Sequence, residues 1–195
     1  RYVFGTLLFL PLFWQQLQSM TMPPRPGLHL ARGIVHGIGV MLWFFAMTRI
    51  PIAEVTAIGF TAPIFTTIGA AIFLGERLAF RRITAVVCGF VGTIVILRPG
   101  VAVVDIGALA QLAAAPLFAC SLIMTKVLTR TQPTAVVVAY LSLFVTLALA
   151  PAALVVWREP TWEELGWLAL TAVVATAGHY SFTQAFRYEI GRAHV

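Results

Sequence analysis

Between Arg49 and Arg82 the sequence reads RIPIAEVTAIGFTAPIFTTIGAAIFLGERLAFRR. A basic residue and a proline open this stretch. A long, largely apolar run follows, and Gly75, Glu76 and the basic residues Arg77, Arg81 and Arg82 close it. About 20 apolar residues at ~1.5 Å each cross a ~30 Å hydrocarbon layer, so the run predicts a membrane-spanning helix. Inside it lie one acid, Glu54, near the start and one proline, Pro63, near the middle. Both are costly in hydrocarbon, because a carboxylate must be solvated and a proline leaves a backbone carbonyl without its donor.

The composition points the same way. Of 195 residues, 60% are hydrophobic and 10% charged, where a soluble domain carries about a quarter charged residues. The polar surface of a water-soluble globule is missing. The net charge of +6 does not indicate nucleic acid: the basic residues stand singly or in small groups between apolar runs, with no aromatic–basic patch and no nucleic-acid motif. Basic loops between apolar runs are instead the mark of cytoplasmic membrane loops. Cys88 and Cys120 both fall inside apolar runs and read as small buried hydrophobes. No metal-ligand spacing is present.

Seven spans are expected. They cover about Tyr2–Leu17, Leu30–Thr48, Ile52–Leu74, Ile83–Leu97, Ala108–Leu128, Ala135–Val156 and Leu165–Phe186. Met22-Pro23-Pro24-Arg25-Pro26-Gly27 cannot continue a helix and reads as a loop. Gly75 is placed as a helix stop. Gly33 and Gly37 form a GxxxG pair that lets another helix approach. Alternation over seven spans collects Arg25, Arg32, Arg77, Arg81, Arg82, Lys126, Arg130 and Arg187 on one side, and Arg1, Arg49, Arg98 and Arg158 on the other. The first side is then cytoplasmic, with loops 19–29, 75–82 and 129–134. The closing IGRAHV, 190–195, reads like an in-frame sequencing adapter (ATC GGA AGA GCA CAC GTC) and is expected to lie outside the fold.

Shifting the chain from Gly27 to Gly166 brings Val35 onto Val174, Gly39 onto Gly178 and Ala46 onto Ala185 without gaps. On the seven-span alternation the two matched spans run in opposite directions. Inverted repeats are a transporter architecture, with substrate near the midplane between the halves.

These residues resemble the EamA type of the drug/metabolite transporter superfamily over nearly the whole chain to about Glu189. The likeness rests on Phe44-Phe45-Ala46 at an aromatic helix end, then Pro63, the LGER of Leu74–Arg77, Gly89 and Gly92, and Arg98-Pro99-Gly100. Gln184-Ala185-Phe186-Arg187-Tyr188 looks like a second copy. The resemblance implies an all-α polytopic helix bundle of ten helices in two inverted five-helix halves. About seven of the ten would be present: residues 1–100 a first repeat lacking its first helix, 106–189 a second lacking its last two, and 190–195 the tail. The chain would be a truncated fragment.

Glu54 is a candidate proton or cation site, or else an acid that snorkels to the outer interface near Arg49 or caps its helix. Thr61 lies seven residues on and shares its helical face. Pro63 frees the Gly59 carbonyl, which suits a lined cavity or a packing kink. Tyr180 and Gln184 share a face and, with Trp43 and Phe60, form a candidate aromatic and amide-lined pocket; helix–helix hydrogen bonding is the other reading. His36 reads as a packing residue. Gly75, Glu76, Arg77, Arg81 and Arg82 read as a structural motif at the cytoplasmic face. No HExxH, GxSxG or P-loop pattern exists. The expectation is therefore no enzyme, no cofactor and no metal. It is an inner-membrane, multi-pass secondary transporter that moves small organic metabolites by alternating access, export being the family's commoner theme. Protons are a candidate coupling partner, the lipid bilayer is the surrounding medium, and the oligomeric state stays open. The alternative is a non-transporting seven-helix membrane receptor or scaffold.

Overall fold

The computed structural model describes residues 1–19, 23–76, 80–97 and 105–192, the side chains of 81, 82, 96, 97 and 189–192 excepted. The described residues form helices joined by short turns. Two compact units divide them: one holds Arg1–Gly37 and Met124–Val195, the other Ile38–Ile123.

The first unit contains α1 (Tyr2–Leu8), α2 (Leu10–Gln18), the first part of α3 (Pro26–Met47), the end of α7 (Ile106–Thr129), α8 (Thr134–Val155) and α9 (Trp162–Arg192). α1 packs on α8 and α9. Val137, Val138, Ala139, Leu141 and Val145 on α8 are buried. The GxxxG expectation is met on α3: a Cβ at Gly33 would lie 3.0 Å from the carbonyl carbon of Phe144, and one at Gly37 would lie 3.0 Å from the Ala148 Cβ. Two absent side chains thus let the α3 and α8 backbones approach closely. Pro26 stands at the first position of α3, where its missing N–H costs nothing.

The second unit contains the rest of α3, α4 (Ile52–Gly59), α5 (Ala62–Leu74), α6 (Phe80–Leu97) and most of α7. α6 packs on α4 and α5. Ala46, Ile50, Val55, Ile58, Ala108 and Ala110 form its core, flanked by Leu42, Trp43, Met47 and Leu112. Gly75 ends α5 with φ +68°, the left-handed conformation that glycine adopts without strain.

The structure corrects the expected span count. Among the described residues, four helical segments are long and apolar enough to cross a membrane, not seven: Pro26–Met47, Ile52–Leu74, Ile106–Thr129 and Thr134–Val155. Expected span one breaks at Phe9 into α1 and α2, two pieces of 7 and 9 residues. Pro11, in the first turn of α2, explains the break: it cannot donate, and its ring would clash with the Leu7 carbonyl in a continuous helix. The Phe9 amide turns back to the Thr6 carbonyl at 3.1 Å. The apolar part of α6, Ile83–Val95, reaches only about 20 Å at ~1.5 Å per residue. α9 has 31 residues, but Glu163, Glu164, His179, Tyr180 and Gln184 dilute its apolar character. The inverted arrangement of seven helices out of ten therefore does not describe this chain. The boundary expected after Arg98 lies largely outside the described residues, as do Arg77, the side chains of Arg81 and Arg82, and the end of the 190–195 tail.

Candidate functional site

The predicted site residues divide between the two units. In the second unit the Ile52–Leu74 segment is interrupted where Pro63 removes a donor. α4 ends at Gly59, and Phe60 and Thr61 keep near-helical angles before α5 begins with Pro63 in its first turn. The buried Thr61 hydroxyl donates to the Ile58 carbonyl at 2.7 Å, so it spans the break with a local bond. Glu54 lies in the first turn of α4, half-buried, where the helix dipole favours an acid. Arg49, the other residue the sequence placed near it, stacks its guanidinium over the Phe45 ring, 5.0 Å from the centroid. Trp43 flanks the core and packs against Phe44. Phe60 is 71% exposed and therefore stands away from that core. Gln111, unremarked in the sequence, is buried beside the break: its Nε2 lies 3.0 Å from where a Cβ on Gly59 would sit, and its Oε1 has no hydrogen-bond partner.

In the first unit Gln184 accepts a hydrogen bond from the buried Thr134 hydroxyl. Tyr180 is 42% exposed.

The same unit holds a feature that sequence reasoning missed. His29, Arg32 and His36 are spaced three and four residues apart on α3, so they share one face, and all three are buried. His29 Nε2 donates to Gln132 Oε1 at 2.8 Å, and Gln132 Nε2 donates in turn to the Pro24 carbonyl at 2.6 Å. Arg32 donates from Nη1 to the Val137 carbonyl at 2.9 Å, while its Nε–H is buried without a partner. The Tyr2 hydroxyl and His36 Nε2 share a hydrogen bond at 3.2 Å. His36 and His179 pack ring to ring at 5.7 Å, and Arg1 Nη2 donates to His179 Nε2 at 3.4 Å. A shallow cleft adjoins this cluster, walled in part by Arg1, Tyr2, Ser142, Thr176 and His179. Its volume is about 10 Å³, room for about one water molecule. The signal was present in the sequence as the 29, 32, 36 spacing, but Arg32 was counted as a loop charge.

Apolar helices of spanning length, one of them broken at a proline, with polar groups turned into the bundle, define a polytopic membrane protein with interior polar sites. The chain belongs to the EamA-like transporter family, whose model matches residues 1–98. That family is one of transporters rather than enzymes. Among curated proteins, the chain is 32% identical over 146 residues to a riboflavin transporter of Brucella anthropi, covering 75% of this chain and 51% of the relative. It is 28% identical over 178 residues to an S-adenosylmethionine uptake transporter of Rickettsia bellii, covering 91% and 60%. It is 26% identical over 194 residues to a pseudopaline exporter of Pseudomonas aeruginosa, covering 97% and 67%. The chain thus spans about half the length of the first of these relatives and no more than about two thirds of the others. No solved structure matches it.

Proposed function

We propose that this chain is the larger part of a secondary transporter that carries small organic metabolites across the cell's inner (plasma) membrane by alternating access. The observation that supports this reading best is family membership over residues 1–98, a stretch that includes the helix broken at Pro63. Broken helices expose backbone carbonyls at membrane depth and serve transporters as ligand sites. Trp43, Glu54, Phe60, Thr61 and Pro63 from one unit, and Tyr180 and Gln184 from the other, are the proposed path-lining residues. Residues 1–100 and 106–189 are the proposed related halves, on the strength of the ungapped match between α3 and α9. Loops 19–29 and 75–82, with Arg25, Arg77, Arg81 and Arg82, are the proposed cytoplasmic loops.

Export is the direction the family resemblance favours, and the relatives include one named for uptake and one for export. The decisive experiment is transport by the full-length parent protein in sided proteoliposomes, against a panel that includes riboflavin and S-adenosylmethionine. Accumulation or release of at least one panel member, abolished in empty vesicles, supports the reading. Failure across a broad panel in both directions removes it.

Protons are the proposed coupling ion, acting through Glu54. Glu54→Gln is then expected to flatten the pH dependence of transport. A variant whose rate still follows pH as the parent's does takes Glu54 out of the mechanism.

A further inference from the structure

Pro63 removes a donor from the Ile52–Leu74 segment, and two backbone groups are left over at the break. The Gly59 carbonyl loses the N–H that residue 63 would give it in a continuous helix. The Ala62 amide opens α5, and the carbonyl one turn before it, that of Ile58, is already taken by the Thr61 amide at 2.9 Å and the Thr61 hydroxyl at 2.7 Å. Among the described residues neither the Gly59 carbonyl nor the Ala62 amide makes a backbone hydrogen bond across the break. The flanking Ile58, Thr61 and Ile64 are buried, so the break lies against the core of the second unit. Unpaired backbone groups in such a place are costly.

One carboxamide stands beside them. Gln111 of α7 is 3% exposed. Its Nε2 lies 3.0 Å from the place a Cβ would take on Gly59, so α7 reaches the break where glycine leaves the space. Its Oε1 is buried without a hydrogen-bond partner. A carboxamide has donors at one end and an acceptor at the other, like a peptide group. The break lacks one of each. Side chains that insert into the ladder of a kinked helix pair in this way. An apolar side chain would fill the same position without leaving an oxygen unpaired.

We propose that Gln111 is the clamp of the broken helix: in a second conformation its Nε2 donates to the Gly59 carbonyl and its Oε1 accepts from the Ala62 amide. The structure shows the released conformation, in which the oxygen and both backbone groups wait for one another. Gln111 is thus a positioning residue, and it decides whether the carbonyl freed by Pro63 is held by α7 or turned loose. Its place in alternating access rests on the transporter reading above.

The test uses the full-length protein in nanodiscs and needs no substrate. Amide hydrogen exchange is read at Ala62 and along α7, and thermal unfolding is followed by tryptophan fluorescence. Gln111→Met keeps the length of the side chain and removes its amide. It should speed exchange at Ala62 by about tenfold, the size of one hydrogen bond, without lowering the unfolding temperature. Pro63→Ala returns an N–H to the Gly59 carbonyl and continues the helix, so in that background Gln111→Met should leave exchange at Ala62 unchanged. Should Gln111→Met not fold, Gln111→Leu takes its place in both backgrounds. Unchanged exchange at Ala62 in Gln111→Met overturns the proposal, and so does an equal acceleration in the Pro63→Ala background. Faster exchange throughout α7 with a lowered unfolding temperature also overturns it, because Gln111 then only fills the core. Failure of the parent to transport removes the transporter reading and leaves the clamp to the exchange result. Transport by a parent whose Ala62 exchange ignores Gln111→Met does the reverse.

Discussion

At Gly33 one added methyl group would meet α8 at its backbone. The ideal Cβ falls on the Phe144 side-chain root and 3.0 Å from its carbonyl carbon, and neither can rotate away. Gly166, near the start of α9, has nothing within 4 Å of the same position. Gly33→Ala is therefore expected to destabilise the first unit by about 1–3 kcal/mol, as overpacking does. Gly166→Ala should be neutral or stabilising by up to about 1 kcal/mol through helix propensity. Denaturant unfolding of the two variants in one detergent checks the pair, and equal effects would mean that the α3–α8 approach is wrong. The sequence carried half of this distinction. The GxxxG spacing of Gly33 and Gly37 announced a close approach, but spacing alone does not name the partner. Arg32 shows the converse limit. An arginine near a helix start reads as a loop charge, because only packing against Val137 reveals that it is buried.

Helix α9 begins with a capping box. The Thr161 amide donates to Glu164 Oε2 at 2.8 Å, and the Glu164 amide donates to Thr161 Oγ1 at 3.2 Å, so two amides of the first turn are satisfied reciprocally. The Thr161 amide, with Arg158 beside it, holds the Glu164 carboxyl below its ordinary value of 4.5. A depressed folded-state value stabilises the helix start at pH above 4.5, and the contribution is lost as pH falls through the folded value. Amide exchange at residues 161–165 should thus accelerate in the parent, relative to Glu164→Gln at each pH, as pH falls below 4.5. Thr161→Ala should expose the Glu164 amide at every pH. Parallel profiles for parent and Glu164→Gln would show that the box does not form. Gly75 as a stop and the extents of α7 and α8 were legible in the sequence, whereas α3 begins at Pro26, inside the expected loop 22–27, because a proline is tolerated at a helix's first position. The break at Phe9 was less so: Pro11 signals it, but an apolar run masks a proline when hydropathy is read first. Likewise Pro63 announced a kink, while Gln111 beside it has no local signal, because its partner surface is built from a helix some fifty residues earlier in the chain.

For the whole molecule the number of crossings decides which loops share a face. From a cytoplasmic Arg25, α3 crosses to Arg49 and the Ile52–Leu74 segment returns to Arg77, Arg81 and Arg82. α7 then crosses to Arg130, and α8 returns before Arg158. If each of the four crosses, Arg25, Arg81, Arg82 and Arg158 share one face and Arg49 and Arg130 the other. The positive-inside rule then makes the first face the proposed cytoplasmic one. Arg1, Arg187 and Arg192, toward the two ends of the sequence, are left out of this comparison, as are Arg32, buried against Val137, and Lys126, whose ammonium lies 5.9 Å from the centroid of the Phe186 ring. Alternation over seven crossings instead places 129–134 with 19–29 on the cytoplasmic face. The two counts separate at exposed Thr131. In a background with Cys88 and Cys120 replaced by alanine, Thr131→Cys should react with a membrane-impermeant maleimide on intact cells, whereas Arg25→Cys should react only after permeabilisation. Protection of both residues in intact cells would mean an additional crossing between them and would reverse the assignment of α8, since the direction of every later helix follows from the parity of those before it.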